Sequence, residues 1–131
     1  MAEPSVVITQ IADVPESPVN RMTVEHDQGW TRGLIQKAIN GSPDLFVSVF
    51  RMEPNQVHPK HRHANVGECY FVLEGRAEMT VGERVEWVDA GTAIYVPKGV
   101  SHGTRTAEQG FTTLVIYPEG DWDKVQKEFV E

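Results

Sequence analysis

The stretch that decides the fold covers residues 58–75 and reads HPKHRHANVGECYFVLEG. Three of the chain's five histidines lie in its first six positions, and an apolar run that ends in glycine follows them. If the histidine-rich half is extended, alternate side chains share a face, so His61 and His63 project together. The segment ANVG can turn the chain into a second strand, on which Glu68 and Tyr70 share a face. Glu68 can therefore meet the two histidines across the strand pair.

A fourth side chain of the same chemistry is His102, which follows the segment GTAIYVPKGVS. Pro97 and Gly99 predict a sharp turn that could bring the strand of His102 beside the first histidines. Three neutral imidazoles and one carboxylate suit a divalent transition metal, namely Fe, Mn, Ni, Co or Zn, with one or two positions left for water or substrate. The sequence therefore predicts one divalent transition metal as a cofactor, without choosing among these elements.

Short extended runs fill most of the remaining chain. Asn40 and Gly41 form a turn that tolerates positive φ, so they predict a hairpin between residues 32–39 and 44–52. Turn residues also separate the later runs, which cover residues 68–74, 76–81, 85–88, 93–96 and 111–117. Turn signals at such regular spacing favour an all-β sandwich or barrel.

Only the C-terminal end of the sequence has a helical pattern. In the segment DWDKVQKEFVE, Asp121 can cap a helix, and three apolar side chains fall on one stripe of it. These side chains are Trp122, Val125 and Phe129. We expect a short C-terminal helix that covers the exterior of the barrel.

Composition limits the partners of the chain. Its 131 residues, 40% of them hydrophobic, can build one compact core, so we expect a single domain over residues 1–131, divided into an arm (1–28), a barrel (29–118) and the helix (119–131). The net charge of −7 argues against a nucleic-acid partner. The sequence offers no membrane span and no signal-peptide pattern, and the lone Cys69 cannot form an internal disulfide. We therefore expect a cytoplasmic protein with no membrane partner.

With these residues the chain resembles the cupin superfamily. The first cupin motif has the form G-x5-H-x-H-x3/4-E-x6-G, and the second has the form G-x5-P-x-G-x2-H-x3-N. The first is matched by His61, His63, Glu68 and Gly75, and the second by Gly91, Pro97, Gly99 and His102. Asn55 and Thr106 stand where the first glycine and the last asparagine are expected. Both are structural turn positions, so these departures leave the metal-binding residues intact.

The resemblance implies a small single-domain cupin, an all-β double-stranded β-helix or jelly-roll barrel. It also implies a metal in the mouth of that barrel, bound by His61, His63, Glu68 and His102. Cupin barrels usually pair through edge strands, and an exposed sheet edge supplies the physical reason, so we expect a homodimer.

The metal leaves two classes of function open. One is an enzyme that acts on a small oxygenated organic molecule, either as a dioxygenase or as a metal-assisted lyase, isomerase or decarboxylase. Tyr70 is the candidate catalytic base, because its E-x-Y spacing from Glu68 resembles a pattern in small cupin lyases that use the tyrosine near the metal. The alternative is a metal-stabilised module that binds a small sugar or organic acid without turning it over.

The remaining candidate residues receive structural interpretations. His58 is expected at a strand entry or at the rim of the barrel, and His26 is expected on the surface. Solvated surface positions are predicted for Arg51, Lys60, Arg76 and Arg105. Packing roles are predicted for Trp87 and Tyr95, and a small-molecule pocket would be lined by Phe50, Val72 and Ile94.

Overall fold

The computed structural model describes residues 5–19 and 27–130 of the chain. His26 and part of the predicted arm lie outside these residues. The strands are β1 (Ser17–Pro18), β2 (Trp30–Ile35), β3 (Phe46–Met52), β4 (Val57–Arg62), β5 (Glu68–Val81), β6 (Arg84–Asp89), β7 (Ala93–Val96), β8 (His102–Arg105), β9 (Phe111–Tyr117) and β10 (Glu128–Phe129). Helical structure within the same residues is limited to a single turn, α1 (Lys37–Asn40), and to two 3-10 turns, Ile11–Asp13 and Trp122–Lys124. The all-β prediction is confirmed.

The strands form two sheets that share β5. The first half of this 14-residue strand pairs with β7 and β9, and its second half pairs with β6 and β8. The strands β1, β2 and β3 extend the first sheet beyond β9, while β4 and β10 extend the second sheet beyond β8. Gly75, at φ 81°, lies where β5 passes from one sheet to the other. The curled antiparallel sheet therefore encloses an interior between its two halves.

Strand alternation fills that interior. On β5 the side chains of Tyr70 and Val72 are buried, whereas those of Phe71 and Leu73 between and beyond them are exposed. Met52, Val72 and Phe111 are almost fully buried in one continuous apolar cluster. Phe50 and Val72 are therefore inward-facing, as predicted, and apolar burial of this kind is the main stabilising term of such a fold.

The predicted first hairpin is present with one modification. The strands β2 and β3 pair antiparallel, and Gly41 adopts the left-handed conformation at φ 81°. The first strand nevertheless stops before the turn, because the side chain of Asn40 bonds to its own neighbours. Its Oδ1 accepts from Gln36 N at 3.0 Å and its Nδ2 donates to Leu34 O at 2.7 Å. Such local side-chain bonds compete with the strand ladder and favour the short turn α1.

The C-terminal segment departs from the predicted helix. Asp121 caps as expected, since its Oδ1 accepts from Asp123 N at 3.1 Å, but only one 3-10 turn forms. The chain then extends into β10, which pairs antiparallel with β4 and places Phe129 opposite His61. The edge of β4 offers unpaired backbone groups, and satisfying them outweighs a weak local helix propensity. The end of the chain therefore joins a sheet, and it does so beside the histidines.

The two departures from the cupin motifs meet in one turn. Asn55 has φ 58°, a conformation that asparagine tolerates better than most residues, and its N–H donates to Ala107 O at 2.9 Å. The Oγ1 of Thr106 donates to Glu53 O at 2.6 Å and accepts from Gln56 N at 2.9 Å. Thr106 therefore holds the turn that contains Asn55.

One further prediction concerns membranes. Among residues 5–19 and 27–130, no helix has the length and apolar character required to cross a bilayer.

Cys69 lies half-buried on the outward side of β5, and the structure gives it no disulfide partner among residues 5–19 and 27–130.

Candidate metal centre

The four predicted metal-binding side chains converge inside the barrel. His61 on β4 stands directly opposite His102 on β8, His63 follows the end of β4, and Glu68 opens β5. One nitrogen or oxygen atom from each lies within 4.8 Å of the others, and all four residues are buried. The sequence spacing thus brings together, in three dimensions, a group that could hold one metal ion.

Each of the three histidines is fixed by a hydrogen bond from its Nδ1 to a backbone carbonyl. The acceptors are Pro59 O for His61 at 2.9 Å, Val100 O for His102 at 3.0 Å and Gln126 O for His63 at 2.9 Å. A carbonyl oxygen only accepts, so Nδ1 carries the proton in each neutral ring. The Nε2 lone pair of each ring is therefore free to coordinate, and the carbonyls supply the outer support that metal-bound histidines typically have.

The inner atoms of the cluster test whether a metal fits. His102 Nε2 lies 2.8 Å from Glu68 Oε1, and His63 Nε2 lies 3.5 Å from the same oxygen. Neither Glu68 Oε1 nor His102 Nε2 has a hydrogen-bond partner among the described residues. A nitrogen lone pair and a carboxylate oxygen repel at this distance unless a positive charge lies beside both. The donor set of three imidazoles and one carboxylate therefore fits a divalent transition metal.

Electrostatics keeps the cluster in the protonation state that a metal requires. Burial opposes charge on Glu68, but the imidazoles of His102 and His63, when protonated, donate to this carboxylate and hold its pKa well below the usual value. When these rings are neutral, a metal cation beside them would supply the same positive charge. Burial, assisted by His58 and His102, lowers the pKa of His61 to about 2. At neutral pH the carboxyl is therefore ionised and His61 is neutral, as metal ligands must be.

Two buried tyrosines flank Glu68. Tyr70, the predicted base, is 2% exposed and its ring centroid lies 6.2 Å from that of His102. The hydroxyl of Tyr117 donates to Glu68 Oε2 at 2.7 Å and lies 3.2 Å from His63 Nε2. Burial, together with the negative charge of Glu68, raises the pKa of both tyrosines well above the usual value. Each phenol therefore holds its proton in this environment.

Tyr117 is the residue that sequence reasoning missed. The run FTTLVIY alternates between buried and half-buried positions, so strand parity alone places Tyr117 on the inward face with Phe111. Its position opposite Glu68 follows from the pairing of β9 with β5, in which Cys69 stands opposite Ile116. The alternation along this run could have placed Tyr117 on the inward face. The sequence did not show, however, that β9 pairs with β5.

His58 is the second residue of β4, so the predicted strand-entry position is confirmed, but it is buried and does not lie at the rim. Its Nδ1 forms a short hydrogen bond with Oδ1 of Asp27, which is 1% exposed, and its ring lies 4.7 Å from that of His61. The cluster of atoms that could bind a metal does not include it. Its ring also packs against Phe50, with centroids 5.0 Å apart. His58 therefore packs against the ring of His61 without belonging to the four-residue cluster.

The remaining candidates lie outside the cluster. Arg51 is paired with Glu16 at 2.7 Å, and Arg105 with Glu78 at 3.2 Å. Trp87 has packing contacts, as predicted, because the guanidinium groups of Arg76 and Arg105 stack on its ring at 4.8 and 5.3 Å. Tyr95 is 69% exposed, so the packing role predicted for it is wrong.

Curated relatives include two named enzymes. The chain is 31% identical over 74 residues to an uncharacterized protein of Streptomyces coelicolor, covering 56% of this chain and 70% of that protein. It is 31% identical over 93 residues to the dimethylsulfoniopropionate lyase DddQ of Ruegeria pomeroyi, and 25% identical over 95 residues to the lyase DddW of the same organism. The alignments cover 61% and 70% of this chain but only 46% of DddQ and 62% of DddW.

Solved structures with the same architecture include one of similar length. The polyketide cyclase RemF of Streptomyces resistomycificus superposes with a TM-score of 0.80 and 26% identity, over 97% of this chain and 88% of that one. Oxalate decarboxylase of Bacillus subtilis superposes with a TM-score of 0.76 over 99% of this chain and 33% of that one, but at 18% identity the likeness shows the fold alone. The family model for the cupin domain matches residues 48–117, which contain the whole four-residue cluster. The chain belongs to the cupin family.

Proposed function

We propose that this protein is a metal-dependent enzyme that removes a proton from carbon next to a carboxylate or carbonyl group of a small molecule, in a lyase, isomerase or cyclisation reaction. One observation carries the proposal. Two buried tyrosines, Tyr70 and Tyr117, flank the carboxylate of Glu68 inside the four-residue cluster. Proton transfer by a positioned side chain is the contribution such hydroxyls can make.

The four clustered residues would hold the metal, and the Nδ1 hydrogen bonds would orient the three histidines toward it. The ion would act as a Lewis acid that stabilises negative charge on the oxygen of the substrate. The interior also contains buried apolar side chains, among them Phe50 and Val72, and such surroundings would limit the access of water to reacting groups. The chain thus supplies a candidate metal site within an apolar interior.

The tyrosines supply proton transfer in this scheme. The hydroxyl of Tyr117 is anchored by Glu68 Oε2 at 2.7 Å, so its position is fixed by the same carboxylate that belongs to the cluster. Tyr70 lies two residues beyond Glu68 on the inward face of β5. Burial and the negative charge of Glu68 raise the pKa of both phenols, and a metal cation held beside that carboxylate would offset the second effect. Tyr70 remains our candidate base, with Tyr117 as the second candidate.

The relatives support the same reaction class. Two are named as lyases of dimethylsulfoniopropionate, a small carboxylate, and one structural neighbour is named as a cyclase of polyketides, which are rich in carbonyl groups. Both kinds of reaction can begin with the loss of a proton next to a carboxylate or carbonyl group. Because this chain spans only part of the two lyases, their activity enters as a proposal for it.

Deuterium exchange tests the proposal without knowledge of the product. Full-length protein loaded with zinc, manganese or iron is incubated in D2O with small carboxylates and ketones, including dimethylsulfoniopropionate, and carbon-bound deuterium is followed by NMR. We expect exchange or elimination with at least one compound, and dimethyl sulfide in the headspace if dimethylsulfoniopropionate is cleaved. Tyr70→Phe is expected to slow this exchange or elimination by about 100-fold or more, with unchanged metal content.

Two matched variants complete this experiment. Tyr117→Phe tests the second phenol, and Tyr95→Phe, at an exposed position, should behave like the wild type. Unchanged exchange in both Tyr70→Phe and Tyr117→Phe would refute the role of the tyrosines. Oxygen consumption that depends on substrate would instead indicate a dioxygenase, and tight binding without exchange or consumption would indicate a binding module.

A further inference from the structure

A lysine that the sequence analysis did not single out lies near the four-residue cluster of His61, His63, Glu68 and His102. Lys127 directly follows Gln126, whose carbonyl accepts from His63, and precedes the short strand β10. Within β10, Phe129 stands opposite His61. Because side chains alternate along an extended chain, Lys127 and Phe129 share the face that looks toward the histidines.

The residue between them confirms this parity. Glu128 points outward, where its carboxylate forms a bidentate ion pair with Arg62 at 3.0 and 3.1 Å. Both partners of that pair are largely exposed. Lys127 instead turns inward, and its Nζ lies 4.9 Å from the ring centroid of Phe129.

The side chain of Lys127 is partly exposed to solvent, and its ammonium group lies close to the buried carboxylate of Asp27. Its Nζ lies 3.7 Å from Oδ2 of Asp27, whose side chain is 1% exposed, while the side chain of Lys127 is 24% exposed. Asp27 is held from the other side by His58 through its Oδ1. Burial works against the charge on Lys127 and lowers its pKa, while the carboxylates of Asp27 and Glu68 oppose that shift. The ring of Phe129 lies 4.9 Å from this ammonium, and its centroid lies 6.0 Å from that of His61, so the ammonium lies on the His61 side of the four-residue cluster.

The hydrogen-bonding capacity of this ammonium is not used by Asp27. A distance of 3.7 Å is too long for an N–H···O hydrogen bond, and Asp27 Oδ2 has no hydrogen-bond partner among the described residues. Asp27 thus attracts the ammonium as a competing carboxylate at 3.7 Å but leaves its donors available to another acceptor. An acceptor bound by Lys127 would therefore lie on the His61 side of the four-residue cluster.

We propose that Lys127 binds a carboxylate of the substrate, so that the protein acts on small organic acids carrying a second oxygen-bearing group at the metal cluster. This inference rests on the proposed function, because it names the substrate class of the same site. An ammonium with free donors in a partly buried position favours a compact anion through charge-assisted hydrogen bonds. The acidic protein as a whole repels anions, so a local positive charge is what such a substrate requires.

Binding of a diacid and its monoamide tests the proposal independently of turnover. Succinate and succinamate have nearly the same shape, but only succinate can place one carboxylate at the cluster and another at Lys127. Calorimetric titration of the zinc-loaded full chain is expected to show a preference for succinate of at least about 10-fold. In Lys127→Met this preference should disappear, and in Lys127→Arg most of it should remain.

Two further variants separate recognition from structure. Lys124→Met removes a lysine of the neighbouring 3-10 turn and should leave the preference unchanged. Asp27→Asn removes the carboxylate that competes for the ammonium, so the preference for succinate should be kept or increased. If Lys127→Met fails to fold, Lys127→Arg and Asp27→Asn still decide the outcome.

Contrary results are distinguishable from failure of the proposed function. No preference in the wild type, the same preference in Lys127→Met, or a loss in Asp27→Asn would overturn the role of Lys127. An intact, Lys127-dependent preference without any deuterium exchange would refute the reaction class and leave the binding residue standing.

Discussion

Replacing Glu68 with alanine is expected to weaken binding of divalent metal by about 100-fold or more. The substitution removes the only carboxylate from a cluster whose other members are three histidines, and it deprives Tyr117 of its 2.7 Å hydrogen bond. Elemental analysis of protein purified without a metal-affinity column, followed by zinc titration against a competing chelator, measures the effect. Metal should also raise the melting temperature of the wild type and not that of Glu68→Ala, because only the wild type binds it tightly.

The matched control lies on the same strand. Glu74 is an exposed carboxylate of β5, so Glu74→Ala should retain the metal content and the metal-dependent stability of the wild type. His61→Ala should resemble Glu68→Ala, because it removes a second member of the cluster. Full metal occupancy in both Glu68→Ala and His61→Ala would show that the ion is bound by other residues.

Replacing Gly75 with alanine is expected to destabilise the fold by about 2–5 kcal/mol. The residue adopts φ 81°, and a Cβ atom there would lie 2.0 Å from the carbonyl oxygen of Gly110. That oxygen also accepts a hydrogen bond from Arg76 N at 3.1 Å, so it belongs to the backbone framework and cannot rotate away as a side chain would. Urea unfolding followed by circular dichroism measures the loss.

A second motif glycine provides the comparison for this substitution. Gly91 has a similar φ of 89°, but a Cβ atom there would meet nothing within 4 Å. Gly91→Ala should therefore cost only the left-handed conformation, about 1–2 kcal/mol. Equal losses in the two variants would show that the close approach to Gly110 contributes nothing, and that backbone conformation alone requires glycine.

The parts of the structure that depend on local pattern were predictable. Strand parity placed His61 and His63 on one face, and it placed Glu68 and Tyr70 on another that could meet them. The turn residues between short runs indicated an all-β fold, and the motif spacing added His102 to the cluster. Each of these inferences uses residues close together in sequence or a periodicity that one strand displays by itself.

The parts that depend on pairing between distant segments were not predictable. Tyr117 reaches Glu68 through the pairing of β9 with β5, and His58 is buried because Asp27, far along the chain, bonds to it. The C-terminal segment has apolar residues at helical spacing, yet it pairs with the free edge of β4 and forms the strand β10. Lys127 faces the cluster only because of that pairing. Local propensity is a weak guide where a sheet edge competes for the same residues.

The turn shared by Asn55 and Thr106 bears on how departures from a sequence pattern are counted. The two residues are 51 positions apart, yet Thr106 bonds to both Glu53 and Gln56 and so encloses Asn55. A pattern search scores two independent mismatches here, whereas the molecule contains one alternative turn. Glycine at position 55 would accept the φ of 58° at least as readily as asparagine, so this half of the departure leaves the turn intact. The hydroxyl of Thr106 is the half on which this turn depends, because it binds the backbone on both sides of Asn55.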